Sequence, residues 1–181
     1  MTAAGHILPN GETLTIREAE ALDAGPIIEY VDLVCGETDF LSFGAGDFGM
    51  SLEEEMLFLE QSREADNRFY IVATVDERIV ASLGFDGGRR PRTRHAGEFG
   101  VTVRKSHWGL GIGSILLDTM IDWARASGCV NKINLRCRVD NARAIRLYES
   151  RGFEIEGTLR RDLFVNGEYH DHLLMGLILG D

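Results

Sequence analysis

Residues 101–117 read VTVRKSHWGLGIGSILL, and this stretch is the most informative part of the chain. An alternating apolar run ends, glycines follow at positions 109, 111 and 113, and an apolar periodic helix begins at once. Glycines spaced in this way let the backbone approach a bulky anion, because no Cβ blocks the way and a positive φ costs little. The helix that follows directs its N-terminal amides and positive dipole end at the same point. The stretch predicts a pyrophosphate cradle for a nucleotide-like cofactor.

Two common nucleotide-binding loops fit this stretch poorly. A Walker loop needs Gly-Lys-Ser/Thr, but residues 111–114 are Gly-Ile-Gly-Ser and offer no lysine to a phosphate. A dinucleotide fingerprint needs its third glycine where Ser114 stands. It also needs an acidic residue about 20 positions further on, where the chain has Asn131 and Lys132. Both interpretations are therefore weakened.

A second informative block, DNARAIRLYESRGF, covers residues 140–153. Asp140 or Asn141 suits a helix N-cap, and Gly152 suits the position just after a helix. Between them, spacings of three and four place four residues on one helical face, namely Asn141, Ala144, Ile145 and Tyr148. A polar cap and a phenol therefore point the same way, about two turns apart.

The two blocks together resemble the GCN5-related N-acetyltransferases (GNAT). In the family's acetyl-CoA loop, Gln/Arg-x-x-Gly-x-Gly/Ala, Trp108 takes the first place and Gly111 and Gly113 take the small-residue places. The second block resembles the family motif Asn-x-x-Ala-x-x-Leu-Tyr-x-x-x-Gly-Phe at nearly every position. Residues 157–171 look most like the branch that contains ribosomal-protein alanine, spermidine and amino-acid acetyltransferases, so the resemblance narrows the acceptor to a primary amine.

The resemblance implies acetyl-CoA as co-substrate. It assigns cofactor contacts to Val101, Thr102, Val103, Trp108, Gly109, Leu110, Gly111, Ile112, Gly113, Ser114, Asn141, Ala144 and Tyr148. Asn141 would contact the pantetheine arm, and Tyr148 would protonate the departing thiolate as a general acid. Strand amides at 101–103 would stabilise negative charge on the thioester oxygen. The alternatives are that Tyr148 is an ordinary core residue and that Asn141 is a plain helix cap.

Glu98 precedes the glycine loop and is the candidate base that takes a proton from the amine. Its carboxylate would act directly or through a water, with a pKa raised by partial burial. The alternative is a solvated or cross-strand-paired glutamate. His95 and His107 are further candidates, but we expect His107 to face solvent. His170 and His172 alternate along a late strand, so we expect cross-strand neighbours there, and no histidine has partners at metal spacing, which predicts no metal.

Two loops stand out between the predicted elements. Residues 35–48 form a long loop with three phenylalanines. In acetyltransferases of this kind the corresponding region walls the acceptor pocket, so we expect Thr38, Asp39 and Phe40 to face the acceptor. The alternative is that the aromatic rings plug the core beneath the loop. The basic turn from Arg89 to His95 is expected to be a solvated hairpin tip, far from the cofactor.

Composition sets outer limits on the function. The chain has 181 residues, 44% of them apolar, and a formal net charge of −10, which suits one domain and speaks against nucleic acid as a partner. Three scattered cysteines favour a reducing cytoplasm. No apolar run of about 18 residues or signal peptide is visible, so no membrane partner is expected. The resemblance adds a possible homodimer.

Strand and helix patterns interleave along the chain, which predicts a single-domain α/β fold. The resemblance adds a mixed, mostly antiparallel sheet of six to seven strands flanked by helices, over residues 12–179, with 1–11 loosely ordered. We expect helices over about 18–34, 51–65 and 112–128, a capping box at Ser51 and Glu54, and a hairpin at Asn166-Gly167. A protein N-terminal or lysine acetyltransferase, and a non-catalytic acyl-CoA-binding module, stay open as alternatives.

Overall fold

The computed structural model describes residues 3–180. Within them the helices are α1 Ala24–Cys35, α2 Leu52–Glu64, α3 Ile112–Ala126 and α4 Ala142–Glu149, with short 3₁₀ helices at Ala21–Asp23 and Lys105–His107. The strands are β1 Ala4–Ile7, β2 Thr13–Glu18, β3 Arg68–Val75, β4 Arg78–Gly87, β5 Ala96–Val103, β6 Lys132–Arg138, β7 Glu154–Val165 and β8 Glu168–Ile178. No helix in this range is long and apolar enough to cross a membrane.

All the strands join one sheet in the order β1-β2-β3-β4-β5-β6-β8-β7. Every neighbouring pair is antiparallel except β5 and β6, which run parallel. The predicted α/β class with a mixed, mostly antiparallel sheet is confirmed, but the sheet has eight strands rather than six or seven. The extra strand is β1, which pairs with β2 inside the segment 1–11 that was expected to be loosely ordered. This strand has only four residues, too few to show an alternation of apolar and polar side chains in the sequence.

Two cores lie on opposite faces of the sheet. Helices α3 and α4 cover one face, where Leu116, Met120 and Tyr148 pack on strand residues. Helices α1 and α2 cover the other face, with Ile27 and Leu59 in its core. The single chain can therefore place side chains at its centre from both sides of one sheet.

Local signals explain where helices begin. Ser51 Oγ accepts a hydrogen bond from the Glu54 amide at 3.3 Å, and Glu54 caps the Ser51 amide in return, so the predicted capping box is confirmed. The predicted helix from residue 18 was wrong in its start, because α1 begins at Ala24. The preceding 3₁₀ turn is held by Asp23, whose carboxylate caps the Glu20 amide at 2.8 Å and binds Arg17. The charged cap at Asp23, rather than the apolar periodicity from residue 18, therefore decides where the helix begins.

The last hairpin turns where the sequence predicts. Asn166 and Gly167 have φ values of +52° and +83°, which is the type I′ pattern that matches strand twist. β7 and β8 on either side are long, at 12 and 11 residues. This hairpin carries Asp162 and His172 to the edge of the central cleft.

Candidate functional site

The cleft at the centre of the sheet arises where β5 and β6 part. The two strands pair only from Ala96–Glu98 to Lys132–Asn134, and beyond this point they diverge. A cavity of about 970 Å³ fills the gap, lined by the carboxyl half of β5, the glycine loop, α4 and the end of β6. A cleft of this size suits a small-molecule or cofactor site.

The glycine loop presents free backbone amides to this cavity. Gly109 and Gly111 have φ values of +87° and +85°, in the left-handed region that favours glycine. Gly111 is the N-cap of α3 and makes no side-chain cap, and the first helical bond from this end is donated by Ile115. The amides of residues 112–114 therefore lack intrahelical partners, as the first turn of a helix requires. They form a site for an anion, with open space before Gly109 and Gly111.

Gly113 needs its glycine for a different reason. It lies inside α3, and a Cβ there would meet the Leu147 side chain of α4 at 3.3 Å. The third glycine therefore lets α3 and α4 approach each other beside the cleft rather than supplying a positive φ.

Most of the predicted cofactor contacts line this cavity. Those that do are Val101, Thr102, Val103, Trp108, Gly109, Gly111, Ile112, Gly113, Ser114, Asn141, Ala144 and Tyr148. Leu110 does not line it, because its side chain packs against the α3-side core.

Trp108 makes contacts that the family loop pattern does not suggest. Its indole Nε1 donates to the Val103 carbonyl oxygen at 2.7 Å, and the Arg143 guanidinium lies 5.6 Å from the ring centroid.

The backbone amides at the end of β5 alternate in direction. The Arg104 amide donates to the carbonyl oxygen of Val80 in β4 at 2.8 Å. Because successive residues of a strand point their amides to opposite sides, the Val101 and Val103 amides face away from β4, into the cleft.

Tyr148 closes the cleft from the α4 side. Its ring packs against Phe99 and Phe153 at centroid distances of 5.8 and 6.0 Å, and the residue is 8% exposed. Burial, with a smaller contribution from Cys137, raises the pKa of the Tyr148 phenol well above its usual range. Among residues 3–180 its hydroxyl has no hydrogen-bond partner, although the residue lines the cavity. The phenol is therefore a protonated donor without a structural partner.

Asn141 has the capping role that its sequence position suggests. Its side chain accepts a hydrogen bond from the Ala144 amide at 3.2 Å, and the residue also lines the cavity. The cap fixes where α4 starts, and with it the direction in which Tyr148 points.

Glu98 lies on the opposite face of the sheet from Tyr148. It is exposed rather than partly buried, with 49% of its side chain accessible, and it pairs with Arg136 at 3.4 Å. The expectation of partial burial was wrong, because β5 and β6 separate just beyond Glu98 and open its side chain to the cavity. Glu98 and Arg136 both line that cavity.

A chain of charged groups continues from this pair, and sequence reasoning missed it. Arg136 lies 3.7 Å from Asp162, and Asp162 is 2.9 Å from His172 Nδ1. His172 is buried and lines the cavity, as does Asp162. It sits opposite Leu159 in the β7–β8 ladder, as expected of a cross-strand neighbour, and its side chain also pairs with Asp162. The Asp162 contact comes from a register shift in that hairpin, which no sequence pattern displayed.

The prediction for His107 was wrong. His107 was expected to face solvent, yet its side chain is 16% exposed and lies 3.5 Å from Glu12. It also lines the cavity. Its Nδ1 lies 2.8 Å from Ser106 Oγ, so neighbouring side chains contact both ring nitrogens.

The long loop after α1 contributes two of its three predicted acceptor residues. Thr38 and Phe40 line the cavity, whereas Asp39 does not. Instead the Asp39 carboxylate accepts from Asn166 at 3.1 Å, and its carbonyl accepts from Arg138 at 2.9 Å. Arg138, which sequence reasoning also missed, is 7% exposed and lies under the Phe40 ring at 5.0 Å. It fastens the loop to the end of β6.

The basic turn from Arg89 to His95 joins β4 to β5 at the end of β5 opposite the glycine loop. Asn67 donates to the carbonyl oxygens of Gly88 and Arg94, both at 3.1 Å, and Arg94 pairs with Asp66. The turn does not line the central cavity. These contacts hold a hairpin tip in place.

Comparison with known proteins agrees with this geometry. A model of the Acetyltransferase (GNAT) family matches residues 38–153, which include the glycine loop and α4. The chain therefore belongs to the GNAT family and is an acetyltransferase. Among curated relatives, the L-amino acid N-acetyltransferase AaaT of Escherichia coli is 38% identical over 112 residues, which cover 60% of this chain and 67% of that protein.

Solved structures share the fold. A GNAT-family acetyltransferase from Streptococcus pneumoniae gives a TM-score of 0.89 at 34% identity, covering 92% of this chain and 99% of that one. An acetyltransferase from Salmonella typhimurium, solved with its cofactor acetyl-CoA, gives a TM-score of 0.80 at 24% identity, covering 93% and 95%. The second likeness shows the fold alone.

Proposed function

We propose that this enzyme transfers the acetyl group of acetyl-CoA to a primary amine of a small molecule by direct attack. One observation carries the proposal. A protonated phenol and an uncapped helix N-terminus line one side of a cavity whose other side is lined by a carboxylate. The two sides meet where β5 and β6 part, so acetyl-CoA and the amine acceptor can approach from opposite faces of the sheet.

The residues present fit acetyl-CoA. The uncapped amides of residues 112–114 would hold its pyrophosphate, with Gly109 and Gly111 leaving room for the phosphates. Asn141 and Ala144 would line the pantetheine arm. Acetyl-CoA supplies the thioester, and the Val101 and Val103 amides would stabilise negative charge on its carbonyl oxygen.

Tyr148 would act as the general acid. Because its pKa is raised by burial, the phenol stays protonated at any physiological pH. The CoA thiolate that leaves beside Phe99 would also be shielded from solvent. Its basicity would therefore rise, and it would accept the proton from Tyr148. Donation of this proton makes the sulfur a better leaving group.

Glu98 would take a proton from the attacking amine, directly or through a water. Its exposure and its pairing with Arg136 through one carboxylate oxygen leave the second oxygen available to the acceptor side. His172 is the competing base, because Asp162 orients its imidazole at 2.9 Å beside the same cavity. The two assignments differ in which substitution, at Glu98 or at His172, changes the pH dependence of activity.

A small-molecule acceptor is favoured over a protein. The loop residues Thr38 and Phe40 line the cavity and narrow the acceptor side, and the relative AaaT is named for an amino-acid acceptor. A protein N-terminus or lysine would need an open groove. A non-catalytic acyl-CoA-binding module would not require a phenol at Tyr148.

Thiol release from acetyl-CoA with an amine panel tests the proposal, with a Tyr148→Phe variant beside the wild type. We expect kcat to fall by about 10²–10⁴-fold in the variant, the usual contribution of a general acid. Affinity for CoA, measured by calorimetry, stays unchanged. Equal turnover in the variant would remove Tyr148 from the mechanism, and absence of thiol release with every amine would contradict the small-molecule acceptor.

The pH profile of kcat/KM separates the two bases. If Glu98 accepts the proton, Glu98→Gln moves the profile toward alkaline pH while His172→Gln keeps its shape. The reverse result would assign the role to His172. An unshifted profile in both variants would contradict a side-chain base.

A further inference from the structure

A second cavity, of about 240 Å³, adjoins the central one on the α1–α2 face of the sheet. The two cavities share lining residues, which are Val34, Phe43, Gly100 and Thr102. Gly100 and Thr102 flank Val101, whose amide faces the cleft. The second cavity therefore lies directly behind the strand segment that would hold the thioester.

The second cavity contains a carboxylate without a partner. Glu55 comes from the first turn of α2, directly after Glu53 and Glu54, which are both exposed. Glu55 is 1% exposed, and its Oε1 atom has no hydrogen-bond partner among residues 3–180. Burial of an ionised carboxylate without a partner is strongly unfavourable. The positive end of α2 offsets only part of that cost.

The neighbouring polar groups are already engaged with one another. The Tyr30 hydroxyl is 2.8 Å from Thr102 Oγ1, and Thr102 Oγ1 is 3.1 Å from Ser82 Oγ. Burial raises the pKa of Tyr70, which also lines the cavity, to about 12, so its phenol is neutral. Burial raises the pKa of Glu55 to about 7. Above that pH the cavity holds a negative charge that no described group neutralises.

Much of the remaining wall of the cavity is aromatic, beside Val31, Val34 and Met50. Phe43 and Phe48 come from the loop after α1, with ring centroids 6.0 Å apart. Phe58 and Tyr70 meet edge to face at 5.9 Å. Aromatic faces attract cations, and the attraction is strongest where water is excluded. A buried carboxylate among aromatic rings is the chemistry that recognises an ammonium group carried on an apolar stem.

We propose that the Glu55 cavity binds a second, cationic amino group of the acceptor, which makes the acceptor a diamine. One amine attacks the thioester beside Val101, and the other forms an ion pair with Glu55 behind the strand. This inference rests on the proposed function. A volume of about 240 Å³ accommodates a short aliphatic chain.

Matched pairs of amines test the site. The kcat/KM values of diamines from 1,3-diaminopropane to 1,6-diaminohexane are compared with those of monoamines of the same chain length. We expect the best diamine to exceed its monoamine by about tenfold or more, as one charge-assisted contact provides. In Glu55→Gln the diamine value should fall to that of the monoamine. Glu60→Gln, an exposed change on the same helix, should retain the preference.

Binding without turnover separates this inference from the proposed function. The best diamine should raise the melting temperature of the wild type but not of Glu55→Gln, which also shows that the variant is folded. If that holds while no amine releases thiol, the cation site stands and the proposed activity falls. If monoamines and diamines are acetylated equally, or if Glu55→Gln keeps the preference, the activity stands and the cation site is overturned.

Discussion

Replacement of Glu55 by glutamine should stabilise the protein, and the gain should depend on pH. The change keeps the shape of the side chain and its helix propensity and removes only the charge. Burial raises the pKa of Glu55 from the ordinary 4.5 to about 7. Because the folded state binds the proton more tightly than the unfolded state, stability is highest below pH 4.5 and is lost as pH rises through about 7. Above that range the loss is complete.

The size of the loss follows from the two pKa values. At 1.36 kcal/mol per pKa unit, a rise from 4.5 to about 7 costs about 3 kcal/mol at pH 8. At pH 5 the carboxyl is protonated in the folded state, and the same relation gives about 1 kcal/mol. In a chain of this length, about 3 kcal/mol corresponds to a melting temperature higher by roughly 10 °C.

Urea unfolding at pH 5 and pH 8 measures this difference directly. Glu55→Gln should gain about 3 kcal/mol over the wild type at pH 8 and about 1 kcal/mol at pH 5. Glu60→Gln, which is exposed on the same helix, should show almost no gain at either pH. A gain in Glu55→Gln that is the same at both pH values, or a loss at pH 8, would refute an unpartnered ionised carboxylate at this position.

Two further substitutions test how the site is held. Gly111→Ala forces an alanine into a φ of +85°. This should lower the free energy of unfolding in urea by about 1–2 kcal/mol and raise the KM for acetyl-CoA. An unchanged KM would contradict a pyrophosphate site at the glycine loop. Arg138→Ala removes the hydrogen bonds to the Asp39 carbonyl and to Asp140 and should cost about 2 kcal/mol. It should also raise the KM for the amine more than that for acetyl-CoA, and equal changes would show that the loop after α1 does not shape the acceptor side.

The cofactor side of the site was predictable because its signals are local. Glycine conformation, helix capping and i, i+3 and i+4 spacing are decided within a few residues, so the two blocks at 101–117 and 140–153 predicted the loop and α4. Leu110 is the one predicted contact that does not line the cavity, since the direction of a side chain in a turn depends on what packs beneath it. The Asn166-Gly167 hairpin was also local and was found.

The acceptor side was predictable only in part: Thr38, Phe40 and Glu98 line the cavity as expected, but long-range strand register assembles the rest. Asp162 meets His172 only through the shift in β7–β8 pairing between Leu159 and Leu163. Glu55 looked like one more acid in a favourable helix start, beside Glu53 and Glu54. Which of the three turns inward depends on how α2 packs over β3, far from any local cue.

The burial of the Glu55 carboxylate indicates that this residue serves function rather than folding. An unpartnered charge destabilises a fold that two apolar cores hold together. Glutamine or methionine would fill the same space at a lower free-energy cost. A residue that weakens the empty protein and faces a cavity behind the reacting strand is compensated only when a cation is bound. On this argument, the instability of the free enzyme above pH 7 and its preference among amines have one origin, so the same variant should remove both.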